Sequence, residues 1–145
     1  MTESEVRLST LARSPNERIL AAAEGETSRH GNAVIYLIDA TQNKLITKIT
    51  FFEKGVQTMA FSNCGRFLIA ASVPSEDILA VIDVNSGQVC GEGFPLRGSS
   101  VNKVVVNPHS EKDVIFTTVG QRGSFSIWTY DQEIQEILRI APEMN

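Results

Sequence analysis

The middle of the chain holds three short apolar runs separated by turn residues. The runs are Val56–Phe61, Phe67–Ser72 and Leu79–Val84, and glycine, proline, asparagine, aspartate or serine residues bound each of them. Runs of about 4–8 residues with such boundaries are typical of β-strands. The runs are too short for buried helices, and their β-branched and aromatic content also favours strands.

The same apolar pattern occurs before and after this middle stretch. The segment Arg18–Ala23 matches Arg66–Ala71, and a third run follows at Asp113–Thr118. Turn residues precede each of the three runs. The chain is therefore predicted to be built from three similar units that follow one another without a linker.

A second repeated run supports the same division. It ends at Asp39 in the first unit, at Asp83 in the second and, in our alignment, at Thr129 in the third. The spacings are 44 and 46 residues. A period of about 40–45 residues with four strands in each unit is typical of the blades of a β-propeller.

We therefore predict an all-β fold of three four-stranded blades, at about residues 5–50, 51–96 and 97–141. The predicted strands are Val6–Leu11, Ile19–Ala23, Ala33–Ile38 and Lys44–Thr50, then Val56–Phe61, Phe67–Ser72, Leu79–Val84 and a weak strand from Gln88, then Val101–Val106, Val114–Thr118, Phe125–Thr129 and a last strand within Ile134–Ile140.

Two segments carry local signals for helix instead of strand. Ser14–Glu24 begins with a capping box that has proline at the first helical position, and helix-forming residues follow. In residues 131–141, Ile134, Ile137 and Leu138 lie at helical spacing. Because tertiary context overrides local propensity, the repeat favours strands in both segments.

The segment Val56–Leu68 resembles the WD-repeat phrase V-x-x-x-A-F-S-P-D-G-R-x-L. More narrowly, the phrase Phe51–Val56, the long loops between second and third strands, and the run Val104–Pro108 are similar to the echinoderm microtubule-associated-protein-like family and to ciliary axonemal WD-repeat proteins. The order of Gly120 and Ile127-Trp128 is similar as well.

This resemblance implies a non-enzymatic scaffold that binds proteins, with tubulin or another axonemal or cytoskeletal protein as the partner. It also implies a place in the cytoplasm on the cytoskeleton, with the axoneme of a cilium as one such place. The alternative is a propeller subunit of a different assembly, such as a ubiquitin-ligase adaptor or a trafficking complex, because a fold does not determine a function.

The chain departs from the WD-repeat pattern at several positions. In our alignment, Ile38 and Ile82 occupy the position of the WD tryptophan in the first two units, and Trp128 occupies it in the third. No Gly-His dipeptide precedes a unit. We therefore expect the usual buried Asp-His-Ser-Trp network to be missing and hydrophobic packing to hold the blades together.

Three blades are too few to close a ring, since known propellers have about 4–8 blades. An open array leaves apolar blade faces exposed at both ends, and such faces promote aggregation unless they are covered. We expect a partial propeller that is completed by other sequence or by another chain.

Composition narrows the classes of partner. The 145 residues include 42% hydrophobic and 21% charged residues, with a net charge of −4, which is normal for a globular protein. The lysines and arginines are scattered, so we expect no nucleic-acid partner. No apolar run is long enough to span a membrane, so we expect no membrane partner. We also expect no secretory signal and expect Cys64 and Cys90 to be reduced thiols.

The sequence predicts no catalytic, cofactor-binding or metal-binding residue. Asp39 and Asp83 end predicted strands, where such residues start turns, and His30 and His109 lie in separate loops without a further ligand at metal-site spacing. Ser124 and Ser126 have no predicted base. The glycine-rich stretch Gly91-Glu92-Gly93 with Gly98 lacks a phosphate-loop pattern and is predicted to be a flexible outer edge.

Two long connections between second and third strands remain as candidate binding loops. They are Glu24–Gly31 and Val73–Asp77. In a propeller such loops lie on one face, where binding residues often collect. An ordinary solvated loop is an equally good interpretation of each.

Overall fold

The computed structural model describes residues 8–26, 32–94, 101–109, 113–120 and 123–141. These residues form twelve strands in three antiparallel sheets of four, and the strand order in each sheet follows the chain. The predicted all-β class is confirmed. The strands are β1 Leu8–Arg13, β2 Ile19–Glu24, β3 Ile35–Asp39, β4 Lys44–Ile49, β5 Val56–Phe61, β6 Phe67–Ser72, β7 Leu79–Asp83, β8 Gln88–Gly93, β9 Val101–Val106, β10 Val114–Gly120, β11 Phe125–Asp131 and β12 Glu136–Ala141.

We call the three sheets blade 1 (β1–β4), blade 2 (β5–β8) and blade 3 (β9–β12). The predicted bounds of β5, β6 and β9 agree with the structure, and most others differ by one or two residues. The first strand begins at Leu8, within the described residues, and ends at Arg13 instead of Leu11. The described part of the chain holds no helix long and apolar enough to cross a membrane.

The helix signal at Ser14–Glu24 belongs to a hairpin turn followed by a strand. The Ser14 hydroxyl accepts a hydrogen bond from the backbone N–H of Ile19 at 3.0 Å, and the Ser14 N–H donates to the Ile19 carbonyl at 2.9 Å. Glu17 adopts a φ of 64°, which a helix does not allow. The prediction of a strand here is confirmed, because the cap residue closes a turn instead of starting a helix.

The C-terminal segment is also a strand, as the repeat predicted. The strand β12 pairs with β11 along its length, with Ile137 opposite Tyr130 and Leu138 opposite Thr129. Ile134, whose position suggested helical spacing, lies in the turn between the two strands and is exposed. Cross-strand pairing therefore outweighs the helical spacing of the apolar residues.

Blades 1, 2 and 3 stack face to face in chain order. We call the face that packs on the following blade the leading face, and the face that packs on the preceding blade the trailing face. The leading-face residues of the second and third strands are Ala21, Ala23, Ile35 and Leu37 in blade 1, Ile69, Ala71, Leu79 and Val81 in blade 2, and Ile115, Thr117, Ile127 and Thr129 in blade 3.

The trailing-face residues occupy the alternate positions of the same strands, because side chains alternate across a strand. They are Leu20, Ala22, Tyr36 and Ile38 in blade 1, Leu68, Ala70, Ala80 and Ile82 in blade 2, and Val114, Phe116, Trp128 and Tyr130 in blade 3.

Two apolar cores result, one for each contact between blades. The leading face of blade 1 meets the trailing face of blade 2 in the first core, and the leading face of blade 2 meets the trailing face of blade 3 in the second. Every residue of β6 is buried, because this strand lies between the two cores. Blade 2 is therefore the only one of the three sheets whose two faces are both covered by described residues.

An aspartate ends the third strand of each blade and builds the turn that follows. Asp39, Asp83 and Asp131 each accept hydrogen bonds from the backbone N–H groups two and three residues later. The residue four positions after each aspartate has a positive φ, namely 56° at Asn43, 73° at Gly87 and 57° at Gln135. The three turns are therefore equivalent.

This equivalence corrects the predicted alignment of the third unit. Asp131, and not Thr129, corresponds to Asp39 and Asp83, so the second spacing is longer by two residues than the sequence comparison gave. Tyr130 consequently occupies the position of the WD tryptophan in blade 3. Trp128 lies two residues earlier in β11, and its side chain is on the same face of the sheet. The tryptophan itself misled the alignment, because it resembles a WD signature at the wrong position.

Candidate interaction surfaces

The connections between strands fall at two ends of the sheets. Since neighbouring strands are antiparallel, the β2–β3 and β6–β7 connections lie at the same end as the β4–β5 connection between blades 1 and 2. We call this the loop end, and the opposite end, which carries the turns after the first and third strands, the turn end. The two candidate binding loops thus lie at one end, although residues 27–31 of the first loop, including His30, are outside the described residues.

The carboxylate of Glu76 ties two connections together at the loop end. Its oxygens accept hydrogen bonds from the backbone N–H groups of Glu53 and Lys54, both at 2.8 Å. The Val73 N–H donates to the Gly55 carbonyl at 3.0 Å, which adds a third link between the same connections. Hydrogen bonds to a charged acceptor are stronger than neutral ones, so this contact limits the movement of both segments.

Below this contact, the β4–β5 connection is anchored in the first core. Phe52 is fully buried, and its carbonyl accepts a hydrogen bond from the Ala33 N–H at 2.9 Å. Gly55 approaches the backbone so closely that an added Cβ would lie 2.6 Å from the Gly25 carbonyl carbon. Glycine is therefore required at position 55, and the exposed side chains of Glu53 and Lys54 project from a fixed backbone.

Exposed apolar side chains mark the outer faces of the array. Leu11 and Leu45 lie on the trailing face of blade 1 and are 62% and 52% exposed. Val105 and Leu138 lie on the leading face of blade 3 and are 46% and 38% exposed. The trailing faces of blades 2 and 3 and the leading faces of blades 1 and 2 are buried in the two cores, whereas these two faces are exposed.

A polar pair lies on the trailing face of two blades. In blade 3 the indole N–H of Trp128 donates to the Thr118 hydroxyl at 2.9 Å, with both side chains buried. At the equivalent positions of blade 1, the Tyr36 hydroxyl donates to the Glu24 carboxylate at 3.2 Å. Side-chain hydrogen bonds therefore link the second and third strands within blades 1 and 3, whereas apolar cores fill the contacts between blades, as the sequence predicted.

Solved structures with this arrangement share its fold. The chain superposes on the β-propeller domain of Myceliophteria thermophila Cps50 (Swd1) with a TM-score of 0.72 and 12% identity, over 99% of this chain and 41% of that one. This chain forms three blades of a β-propeller. The similarity extends to Saccharomyces cerevisiae Sqt1, with a TM-score of 0.75 and 13% identity over 97% of this chain and 36% of that one.

A chain in a crystal structure of the mitotic checkpoint complex is similar as well. Its TM-score is 0.71 at 20% identity, over 97% of this chain and 40% of that one. The partial propeller thus spans about two fifths of the length of these chains. No family model and no curated protein sequence matches it.

The propeller fold accounts for the residues that were weighed as catalytic candidates. The Asp39 carboxylate accepts three hydrogen bonds within its turn, and the bond from the Thr41 hydroxyl is the main cause that lowers the pKa of Asp39. Asp83 builds the equivalent turn in blade 2. His109 and Ser124 are exposed in separate connections. Both aspartates therefore have structural roles.

Gly91-Glu92-Gly93 lies at the outer edge of blade 2 as predicted, but these residues form the end of strand β8, with both glycines buried, instead of a flexible segment. An added Cβ at Gly91 would lie 2.6 Å from Cε1 of Tyr130. The Tyr130 hydroxyl donates to the Cys90 carbonyl at 2.8 Å. Glycine is required here because blade 3 packs directly on the backbone of β8.

The cysteine, histidine and carboxylate side chains of the described residues do not form a metal-binding cluster. Cys64 lies in the turn between β5 and β6 and Cys90 lies within β8, and both are free thiols. No group of three or more histidine, cysteine, aspartate or glutamate side chains with metal-site geometry occurs among the residues that the structure describes. The surfaces that stand out are thus the loop end and the two outer blade faces.

Proposed function

We propose that this chain is part of a non-enzymatic WD-repeat scaffold that binds a protein of the cytoskeleton. The blades hold the loop end at a fixed geometry, and the loop end docks the partner. The Glu76 carboxylate carries this proposal, because it joins the β6–β7 connection of blade 2 to the β4–β5 connection between blades 1 and 2 and so holds the backbone that presents Glu53 and Lys54. A rigid surface binds with a smaller loss of conformational entropy than a mobile one.

The proposed partner is tubulin or another protein of the axoneme. The support is the phrase Phe51–Val56, which resembles microtubule-associated WD-repeat proteins and forms the connection at the loop end. The corresponding place in the cell is the cytoplasm, on the cytoskeleton or the axoneme of a cilium. Catalytic turnover plays no part in this mechanism.

Microtubule co-sedimentation of the intact assembly tests the cytoskeletal part of the proposal. The unmodified protein is expected to pellet with microtubules, and Lys54→Glu, at the loop end, is expected to weaken binding by about tenfold or more through reversed charge. Lys44→Glu is the matched control, since Lys44 is also exposed but lies at the turn end. If the unmodified assembly stays in the supernatant, the chain does not act through microtubules.

A further inference from the structure

One side of the β4–β5 connection is bonded to the β2–β3 connection of blade 1. The side-chain amide of Asn32 donates a hydrogen bond to the Thr50 carbonyl at 2.5 Å, and the Ala33 N–H donates to the Phe52 carbonyl at 2.9 Å. We call residues 32–34, which lead into β3, the base of the β2–β3 connection. Two carbonyls of the β4–β5 connection therefore hold this base in place.

The other side of the β4–β5 connection is bonded to the β6–β7 connection of blade 2. The Glu76 carboxylate accepts hydrogen bonds from the N–H groups of Glu53 and Lys54, each at 2.8 Å. The Val73 N–H donates to the Gly55 carbonyl. One short stretch of backbone thus carries contacts to connections of two different blades.

A single peptide group belongs to both sets of hydrogen bonds. The carbonyl of Phe52 and the N–H of Glu53 are the two ends of one planar group. Its carbonyl accepts from Ala33 of blade 1, and its N–H donates to Glu76 of blade 2. Since a peptide group rotates as a unit, a rotation that breaks one of these hydrogen bonds also misaligns the other.

The charge of the Glu76 carboxylate strengthens this geometric link. An amide that donates to an ionised acceptor is polarised, so its own carbonyl accepts a stronger hydrogen bond. The chain of hydrogen bonds runs from the Ala33 N–H through the 52–53 peptide group to Glu76. Loss of the carboxylate is therefore expected to weaken the hydrogen bond that Ala33 makes in blade 1.

The buried ring of Phe52 leaves this peptide group free to respond. The ring is 0% exposed in the first core and fixes the position of the connection. The orientation of the 52–53 peptide group depends instead on ψ of Phe52 and φ of Glu53, which the hydrogen bonds at its two ends restrain. The group can therefore rotate without exposing the core.

From these contacts we propose that the 52–53 peptide group couples the β6–β7 connection of blade 2 to the base of the β2–β3 connection of blade 1, so that the two open as one unit. Glu76 is the positioning residue of this unit. Such coupling is reciprocal, so a partner that orders one connection also orders the other. This consequence for binding rests on the proposed docking role of the loop end, whereas the coupling itself does not.

Amide hydrogen exchange of the intact protein, resolved to single residues, measures the coupling. Glu76→Ala removes both acceptor oxygens, and exchange at Lys54 is expected to rise by about tenfold or more because its N–H loses a charged acceptor. Exchange at Ala33, whose N–H does not contact Glu76, is expected to rise by about threefold or more through the shared peptide group. Glu76→Gln keeps one acceptor oxygen and is expected to give an intermediate rise at Ala33.

Two controls separate the coupling from charge and from global unfolding. Glu53→Ala removes an exposed carboxylate from the same connection but keeps the backbone N–H that Glu76 accepts, so exchange at Ala33 is expected to stay unchanged. The amide of Ile69, in the buried strand β6, reports opening of the whole fold and is expected to stay unchanged in every variant.

A change in blade 1 tests whether the coupling is reciprocal. Asn32→Ala removes the hydrogen bond to Thr50 at an exposed position, so the blades keep their packing. Exchange at Lys54 and Val73 is expected to rise by about twofold or more. Asn85→Ala, at an exposed asparagine of the turn end, is the matched control and is expected to leave both amides unchanged.

Unchanged exchange at Ala33 in Glu76→Ala overturns the proposal. An equal rise at Ile69 also overturns it, because the opening would then be global, and so does an effect of Asn32→Ala that stays within blade 1. Coupled exchange in a protein that does not pellet with microtubules leaves this inference intact and contradicts only the proposed cytoskeletal partner.

Discussion

The hydroxyl of Thr118 accepts a hydrogen bond from the indole N–H of Trp128 in the core between blades 2 and 3. Thr118→Val removes this acceptor while keeping the shape of the side chain, and leaves the buried N–H without its partner. We expect the free energy of unfolding to fall by about 1–3 kcal/mol, as measured by chemical denaturation. Thr117→Val, at the neighbouring position on the leading face of blade 3, is the control and is expected to lower the free energy of unfolding by less. Equal losses for the two variants would mean that the hydrogen bond has no specific role.

Asp77 and Asp39 respond to pH in opposite directions. Burial raises the pKa of Asp77, and hydrogen bonds from Thr41 lower the pKa of Asp39. Because folding raises the pKa of Asp77, its protonated carboxyl group stabilises the folded state below the unfolded-state pKa of about 3.8. This stabilisation is lost as pH rises through the folded-state pKa. Because folding lowers the pKa of Asp39, its ionised carboxylate stabilises the folded state above the unfolded-state pKa of about 3.8. This stabilisation is lost as pH falls through the folded-state pKa.

Asp77→Asn is therefore expected to raise the free energy of unfolding at pH 7 and to give no gain near pH 3. Asparagine also tolerates the φ of 60° that Asp77 adopts. Denaturation curves at the two pH values measure the difference. Asp39→Asn is the comparison and is expected to lower stability at pH 7; the same sign for both variants would contradict the assigned causes.

At the scale of elements, β8 depends on glycine for its contact with blade 3. Gly91→Ala places a Cβ 2.6 Å from the Tyr130 ring, whose hydroxyl is held by the Cys90 carbonyl. We expect a loss of about 1–3 kcal/mol in the free energy of unfolding from overpacking. Gly93→Ala is the control in the same strand, because its nearest contact would be 3.3 Å from Ile137. If thermal denaturation shows equal losses for both, steric conflict at Tyr130 is not the cause.

Element boundaries were predictable where turn residues and apolar runs agreed. Blade 2 has both signals, so the predicted bounds of β5 and β6 match the structure. The register of blade 3 was not predictable in the same way, because Trp128 imitates a WD signature while the aspartate turn lies at Asp131. The glycines of β8 also misled the prediction. Gly91 is required because Tyr130 of blade 3 packs against its backbone, and this contact between blades leaves no pattern in the local sequence.

At the scale of the whole molecule, two isoleucines at the same blade position differ in their surroundings. Ile82→Ala empties a site that blade 1 covers, and we expect a loss of about 2–5 kcal/mol in the free energy of unfolding. Ile38→Ala is expected to cost less, because Ile38 is only half-buried on the trailing face of blade 1. Chemical denaturation of both variants measures the difference, and equal losses would contradict the assigned role of the contact between blades 1 and 2.

The sequence predicted the repeat, the strand class and the incomplete ring, because each follows from local patterns that recur along one chain. It did not predict the link between Glu76 and the β4–β5 connection, since hydrogen bonds that a carboxylate accepts from main-chain N–H groups 22 and 23 residues away leave no local pattern. The Val73–Asp77 connection was therefore recognised as a loop, and its hydrogen bonds to the β4–β5 connection became visible only in three dimensions.

Each blade is made from one uninterrupted stretch of chain, and none of the twelve described strands is exchanged between blades. During synthesis, a blade can therefore complete its backbone pairing soon after it leaves the ribosome, because its contacts are close in sequence. Burial of its leading face must wait until the next blade has been translated. During translation, the apolar leading face of the last completed blade therefore stays exposed until the following blade has formed and packed on it.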